Sequence, residues 1–212
     1  IGGRPPKSVR LVGVTKYVSP QTAALLVDAG CRDLGESRPQ ELWHKAESAV
    51  NKRVSWHLIG HLQRNKIRRT LPLVEFLHSV DSEKTLAAID RIAAELNVLP
   101  QVLIEVNTSG DAGKHGIAPI DAPALLRAAA RLAHVRVIGL MCMAALEGGG
   151  DVARRNFADL RELRDRLQAN CPDNVHLDQL SMGMSGDFQV AIEEGATIVR
   201  IGSALFEGIG GA

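Results

Sequence analysis

Short apolar runs and longer amphipathic stretches alternate along the whole chain. The apolar runs, rich in Val, Ile and Leu, fall at 9–16, 31–36, 54–60, 76–81, 101–107, 135–143, 176–182 and 198–206. Most lack a strict polar–apolar alternation, as expected of parallel strands covered on both faces. Between them lie amphipathic stretches at 21–29, 39–49, 62–71, 83–96, 122–133, 152–169 and 187–194. In the sixth, Phe157, Leu160, Leu163 and Leu167 recur at helical spacing with Arg and Asp between them. Boundary signals agree with this division. Ser19-Pro20 opens the first helix and Gly30 closes it, Ser82 precedes Glu83, and Asp121 precedes Ala122-Pro123.

Strict alternation with short connections predicts an α/β protein with a parallel sheet. Eight units predict a single closed (β/α)8 TIM barrel over 1–212, whereas six or fewer would favour an open sheet. The chain ends soon after the eighth strand, so the pattern predicts that an N-terminal helix, largely missing here, covers the seam between the first and last strands. Gly148-Gly149-Gly150 reads as a flexible loop before the sixth helix. It lacks the GxxxxGK[ST] context of a phosphate loop.

Composition narrows the partners. The 25 Lys and Arg balance 24 Asp and Glu, for a net charge of +1, which gives no reason to expect nucleic acid or an anionic membrane. No run approaches the roughly 18–20 apolar residues of a membrane span. No signal peptide is visible, although the chain opens at Ile1 rather than Met, in keeping with removal of an upstream piece. Cys31, Cys142 and Cys171 are widely spaced with no CxxC pair, which fits a reducing cytoplasm. Cys142 reads as a small buried hydrophobe. Without an evident apolar surface stripe, a monomer is expected. Arg64, Lys66, Arg68 and Arg69 lack interleaved aromatics and read as a solvated helix face. His57 and His61 have a spacing that suits a metal pair on a helix. Their segment reads as strand then loop, and no third ligand completes a motif, so no metal is expected.

The chemistry of such a barrel sits at the C-terminal ends of its strands. The polar, soft and small residues there are Lys16, Glu36, His57, His61, Asp81, Asn107, Met141, Met143 and Ser181, with Arg200 and Gly202 on the eighth strand. Lys16 follows Val12 and Val14 at period two, which puts all three on one face of the strand. If that face is the interior, an amine kept from water is available in the uncharged form that attacks an aldehyde. The alternative is a lysine that reaches out to solvent at a strand end. Ser181-Met182-Gly183-Met184-Ser185-Gly186 and Arg200-Ile201-Gly202-Ser203 follow strands seven and eight, where these barrels often hold a phosphate. The alternative is that their glycines serve tight turns. Arg200 lies between Val199 and Ile201 and so points inward. A guanidinium stays charged, and beside a cofactor's ring nitrogen it would disfavour protonation there. An ion pair with Asp178 or Glu36 is the alternative.

These segments resemble the YggS/PROSC family of pyridoxal-phosphate homeostasis proteins, whose barrel is similar to the N-terminal domain of alanine racemase. The resemblance spans nearly the whole chain. It is carried by LVGVTKYVS around Lys16, LGESRPQEL from Leu34, WHLIGHLQRNK from Trp56, VNTSGDAGKHG from Val106, GLMCM from Gly139 and LSMGMSGDFQVAIEEGATIVRIGSALFEG from Leu180. It implies pyridoxal 5′-phosphate as cofactor, held by Lys16 as a Schiff base. It also implies phosphate contacts from Ser181, Met182, Gly202 and Ser203, and a ring-nitrogen contact from Arg200. Such proteins bind the cofactor, generally lack a demonstrated reaction and affect vitamin B6 balance. The expectation is therefore a carrier with no catalytic residue, whose recipients are apo forms of pyridoxal-phosphate enzymes. Two positions depart from the pattern: Ser37 replaces an asparagine of the usual GEN, and Val18 stands where a lysine is often found.

The alternative within the same chemistry is an amino-acid racemase. Racemisation needs a base on each face of the substrate. The only tyrosine, Tyr17, follows Lys16 directly and along a strand would point the other way. A third possibility, a nucleic-acid or protein-interaction module, would use the basic third helix.

Overall fold

In a computed structural model, which describes residues 3, 5, 8–48, 54–172 and 175–208, eight parallel strands close into a barrel in chain order. The strands are β1 (Arg10–Val14), β2 (Asp33–Glu36), β3 (Ser55–Leu58), β4 (Phe76–Val80), β5 (Gln101–Glu105), β6 (Arg136–Met141), β7 (Gln179–Ser181) and β8 (Ile198–Ile201). The helices are α1 (Pro20–Asp28), α2 (Pro39–Ala46), α3 (Ile67–Thr70), α4 (Glu83–Leu96), α5 (Ala122–Ala129), α6 (Gly149–Gln168) and α7 (Phe188–Glu193). The expected (β/α)8 architecture is therefore present. Residue 1, and residue 49 where the pattern ends the second helix, lie outside the described residues.

Two apolar layers form the core. Val12, Phe76, Leu103, Ile138, Met141 and Ile198 pack inside the barrel. A larger layer, including Leu34, Trp56, Leu58, Leu86, Ile89, Phe157 and Leu160, fills the space between strands and helices. The seam is fully registered, with Arg10 to Gly13 of β1 opposite Ile198 to Ile201 of β8. Leu11, on its outer face, is 41% exposed.

Several strands stop before their apolar runs do. β1 ends at Val14, β3 at Leu58 and β8 at Ile201. Strand pairing needs a neighbour in register, and the last β1–β2 partners are Val14 and Gly35. Beyond them the chain enters a turn in which Val18 N donates to Thr15 O at 3.1 Å.

The helix ends follow capping chemistry. The Ser19 side chain accepts from Thr22 N, with Pro20 in the first turn, and Gly30 beyond α1 adopts φ 94°. The Ser82 side chain accepts from Thr85 N and caps α4, as the pattern predicts. Asp121 makes no side-chain cap and instead ends a 3₁₀ turn, Pro119–Asp121, that leads into α5.

Two helices differ from expectation. The third is one α-turn between two 3₁₀ turns, Arg64–Lys66 and Leu71–Leu73. Its buried anchors are Leu62, Ile67 and Leu71. The step from Ile67 to Leu71 keeps helical spacing, whereas the step from Leu62 to Ile67 is off-period. α6 begins at Gly149, so Gly149 and Gly150 lie in its first turn rather than in a flexible loop. First-turn N–H groups have no intrahelical partner, which lessens the dependence of those residues on helical hydrogen bonds.

Candidate functional site

A cavity of about 780 Å³ opens at the C-terminal ends of the strands. Its β1 side carries Val14, Lys16 and Tyr17, and its β8 side carries Arg200, Gly202 and Ser203. Met184 and Ser185 come from the loop after β7. Ile59 and His61 follow β3, while Glu105 and His115 come from the end of β5 and the loop beyond. In an eight-stranded ring, β1 and β5 lie on opposite sides.

Lys16 is at the rim and exposed, in the turn that follows β1. It does not continue the buried row of Val12 and Val14, because the strand has already ended. Its Nζ lies 4.8 Å from the centre of the Tyr17 ring. Among the described residues no carboxylate forms an ion pair with it. The amine is therefore solvent-accessible rather than desolvated in the free protein. Tyr17, 75% exposed, lines the same cavity. The expectation that it points away fails for the same reason: a turn does not alternate sides as a strand does.

The chain just before Lys16 is held from behind. Thr15 Oγ1 donates to Glu36 Oε1 at 2.5 Å, and Lys45 Nζ donates to the same oxygen at 2.6 Å. Lys45 Nζ also donates to Thr15 O at 2.6 Å. Glu36 and Lys45 are 0% and 2% exposed, on the helix side of the barrel. Glu36 therefore belongs to the support of the site and not to its mouth.

Arg200 is inward and buried, 4% exposed, and borders the cavity. Its Nη1 donates to Ser181 O at 2.8 Å and to Ser181 Oγ at 2.6 Å, and its Nη2 donates to Cys142 O at 3.0 Å. The expected alternative, an ion pair with Asp178 or Glu36, is absent among the described residues. Burial lowers the Arg200 pKa from its ordinary value, against the opposing pull of Glu105 and Asp187. Below it a polar series crosses the barrel. Ser181 Oγ lies 2.9 Å from His78 Nδ1, His78 Nε2 lies 2.8 Å from His57 Nδ1, and His57 Nε2 lies 3.0 Å from Asp33 Oδ1. Burial pushes both histidine pKa values down, His78 well below the ordinary value. His57 is thus a floor residue, separated from His61.

The last two loops form a cup. Gly202 N and Ala204 N donate to Ser185 Oγ at 3.2 and 3.4 Å. Ser203 starts a 3₁₀ turn, Ser203–Leu205. The preceding loop turns at Gly183, φ 93°, where a Cβ would meet Ala191 Cβ at 2.5 Å. Gly202, Ser203, Arg200 and Lys16 are thereby brought together. Ser181 and Met182 are not. The Ser181 hydroxyl is engaged by Arg200 and His78. Met182 is buried in the outer apolar layer, and its N–H donates to Ile198 O at 3.1 Å. Neither lines the cavity, in contrast to Gly202 and Ser203.

The opposite side carries groups that the sequence pattern passed over. Glu105 is 3% exposed, and burial raises its pKa to about 7, with further upward pressure from Asp81. His115 and Arg200 pull it the other way. Ser185 stood in a recognised loop, yet nothing local marked its hydroxyl as the acceptor at the cup. Asn107 turns out to order its own loop, its Oδ1 accepting from Gly110 N at 3.1 Å. Ser37 and Val18, the two departures from the family pattern, both line the cavity.

A primary amine, a cup of N–H donors and a buried cation around one cavity suit an aldehyde with an anionic tail and a ring acceptor. The amine can condense with the carbonyl, and the cup can take an oxygen where Ser185 Oγ now sits.

Comparison with known proteins agrees with this chemistry. The model of the alanine racemase N-terminal domain matches residues 8–209. A protein of Aquifex aeolicus named pyridoxal phosphate homeostasis protein is 42% identical over 205 residues, covering 96% of this chain and 89% of its own length. The solved structure of PipY of Synechococcus elongatus, with pyridoxal phosphate bound, superposes with a TM-score of 0.89 at 36% identity, covering 96% of this chain and 94% of that one. Alanine racemase from Clostridium difficile shares the fold at 16% identity and a TM-score of 0.79, and the match covers 95% of this chain and 56% of that longer one.

Proposed function

Since the chain belongs to the pyridoxal phosphate homeostasis family built on the alanine racemase N-terminal fold, we propose that it holds pyridoxal 5′-phosphate reversibly and passes it to apo-enzymes. The observation that carries this reading is that an exposed amine, a two-N–H cup and a buried guanidinium face one cavity. Lys16 would hold the cofactor through its amine, which is suited to reversible condensation with an aldehyde. Gly202, Ser203 and Ala204 receive the phosphate. Arg200, which borders the cavity, would disfavour protonation of a ring nitrogen placed beside it and so weaken the ring as an electron sink. Ser181 acts indirectly by orienting Arg200.

The carrier role is favoured over racemisation by the placement of Tyr17, whose ring packs on the Lys16 amine at 4.8 Å rather than across the cavity from it. The exposed position of Lys16 at the rim also suits hand-over, because water and an incoming amine can reach it. The exposed apolar side chains Leu25, Leu99, Ile120 and Leu146 lie in separate segments of the chain, in keeping with a monomer. Among the described residues no helix is long and apolar enough to cross a membrane.

Borohydride reduction in the presence of the cofactor, followed by peptide mass mapping, tests the attachment. The label should fall on Lys16 and disappear in Lys16→Ala; a label elsewhere, or one that survives the substitution, sinks the assignment. Transfer from the loaded protein to an apo-enzyme should restore that enzyme's activity, and retention of the cofactor over hours would remove the carrier role.

A further inference from the structure

The geometry points to a binding site for a divalent transition cation of the zinc class at the rim opposite Lys16, formed by His61, Asp81 and His115. The three residues follow β3, β4 and β5, so consecutive strand ends deliver them to one place. One donor atom of each lies within 4.8 Å of the other two. The His61 and His115 rings are stacked with centroids 5.2 Å apart, and His61 Nδ1 lies 4.0 Å from Asp81 Oδ2. Two imidazoles and one carboxylate form a donor set suited to zinc, cobalt or nickel rather than to calcium or magnesium. Bonds of roughly 2.0–2.2 Å would need only modest side-chain rotation to draw these donors in, and both histidines are exposed and able to rotate. His61 and His115 also line the cofactor cavity, so positions left open on the cation face that cavity. The sequence spacing of His57 and His61 misled on this point. His57 is in the barrel floor, and the partners of His61 come from 20 and 54 residues further on.

The site stands apart from the cofactor reading and is tested on the full chain without cofactor. Equilibrium dialysis against Zn²⁺, with a competing chelator of micromolar affinity, should find one equivalent per chain. Co²⁺ substitution should give visible d–d absorption with an imidazole contribution. In H61A/H115A the affinity should fall at least about tenfold, with unchanged circular dichroism because both side chains are exposed. His115→Ala alone should show the same loss. Lys16→Ala should keep the cation in full, which separates failure at this site from failure of the cofactor site. Absence of stoichiometric binding overturns the proposal. So does affinity in the His115→Ala chain within tenfold of the wild type, which would place the cation elsewhere, as at Cys31 or Cys171.

Discussion

In the layer beneath the cavity, Arg200, Ser181, His78, His57 and Asp33 bond to one another in series, whereas in the layer above, Lys16, Ser203, His61 and His115 face open space. Both layers are polar, and both lie within one barrel. The lower groups have all found partners, and all but the partly exposed Asp33 are buried, where polar groups must be paired. The upper groups keep their donors and acceptors available to a ligand. Rigidity below and availability above belong together. The lower series fixes Arg200 and the floor, and the rim groups act from a scaffold that does not need them for its own stability.

The sharpest break in this division would come from the support behind Lys16. Lys45→Ala leaves Glu36 charged and buried without its cation, a change that costs about 3–5 kcal/mol. Urea unfolding should show this loss, and the surviving native fraction should bind cofactor more weakly, because Thr15 loses a partner next to Lys16. Lys16→Ala, at the exposed rim, should change stability by less than about 0.5 kcal/mol.

Protons distinguish the two layers next. The native state raises the Glu105 pKa from 4.5 to about 7, so it binds more protons than the unfolded chain across that window. Stability contributed by protonated Glu105 is therefore present below about pH 4.5 and lost as pH rises toward 7, by up to about 3 kcal/mol. The histidines act with the opposite sign. Their pKa values are lowered by burial, so stability is lost as pH falls below about 6.5, where the unfolded chain takes up protons. Unfolding measured at pH 5 and pH 8 should therefore show Glu105→Gln stabilising the protein more at pH 8. Equal effects at both values would place the Glu105 carboxylate in a wetter setting.

A small effect on stability is also expected at the cup. Ser185→Ala removes one acceptor from Gly202 and Ala204 at the cavity edge and should cost less than about 1 kcal/mol. Its effect on phosphate affinity, read by titration with pyridoxal phosphate, should exceed its effect on unfolding if the cup serves a ligand.

Much of the architecture was legible in the chain because it depends on local periodicity. Eight apolar runs with helices between them specify a closed parallel barrel, and the flanking Val199 and Ile201 place Arg200 inward. The sequence also picked out Lys16, Gly202 and Ser203, which the fold gathers around one cavity. Periodicity failed at strand ends. It carried Lys16 and Tyr17 past Val14 as though β1 continued, and it assigned Glu36 to the mouth although the side chain faces α2.

What the sequence alone determined is the order of elements and the inward direction of Val12, Val14 and Arg200. Only closure of the barrel decided the partnerships: His78 with Ser181 across 103 residues, Lys45 beneath Thr15, and His61 beside His115. The physical reason is range. Side-chain direction along a strand or helix follows from the backbone within a few residues, whereas hydrogen-bond and charge partners are chosen by which strand ends the closed ring brings side by side.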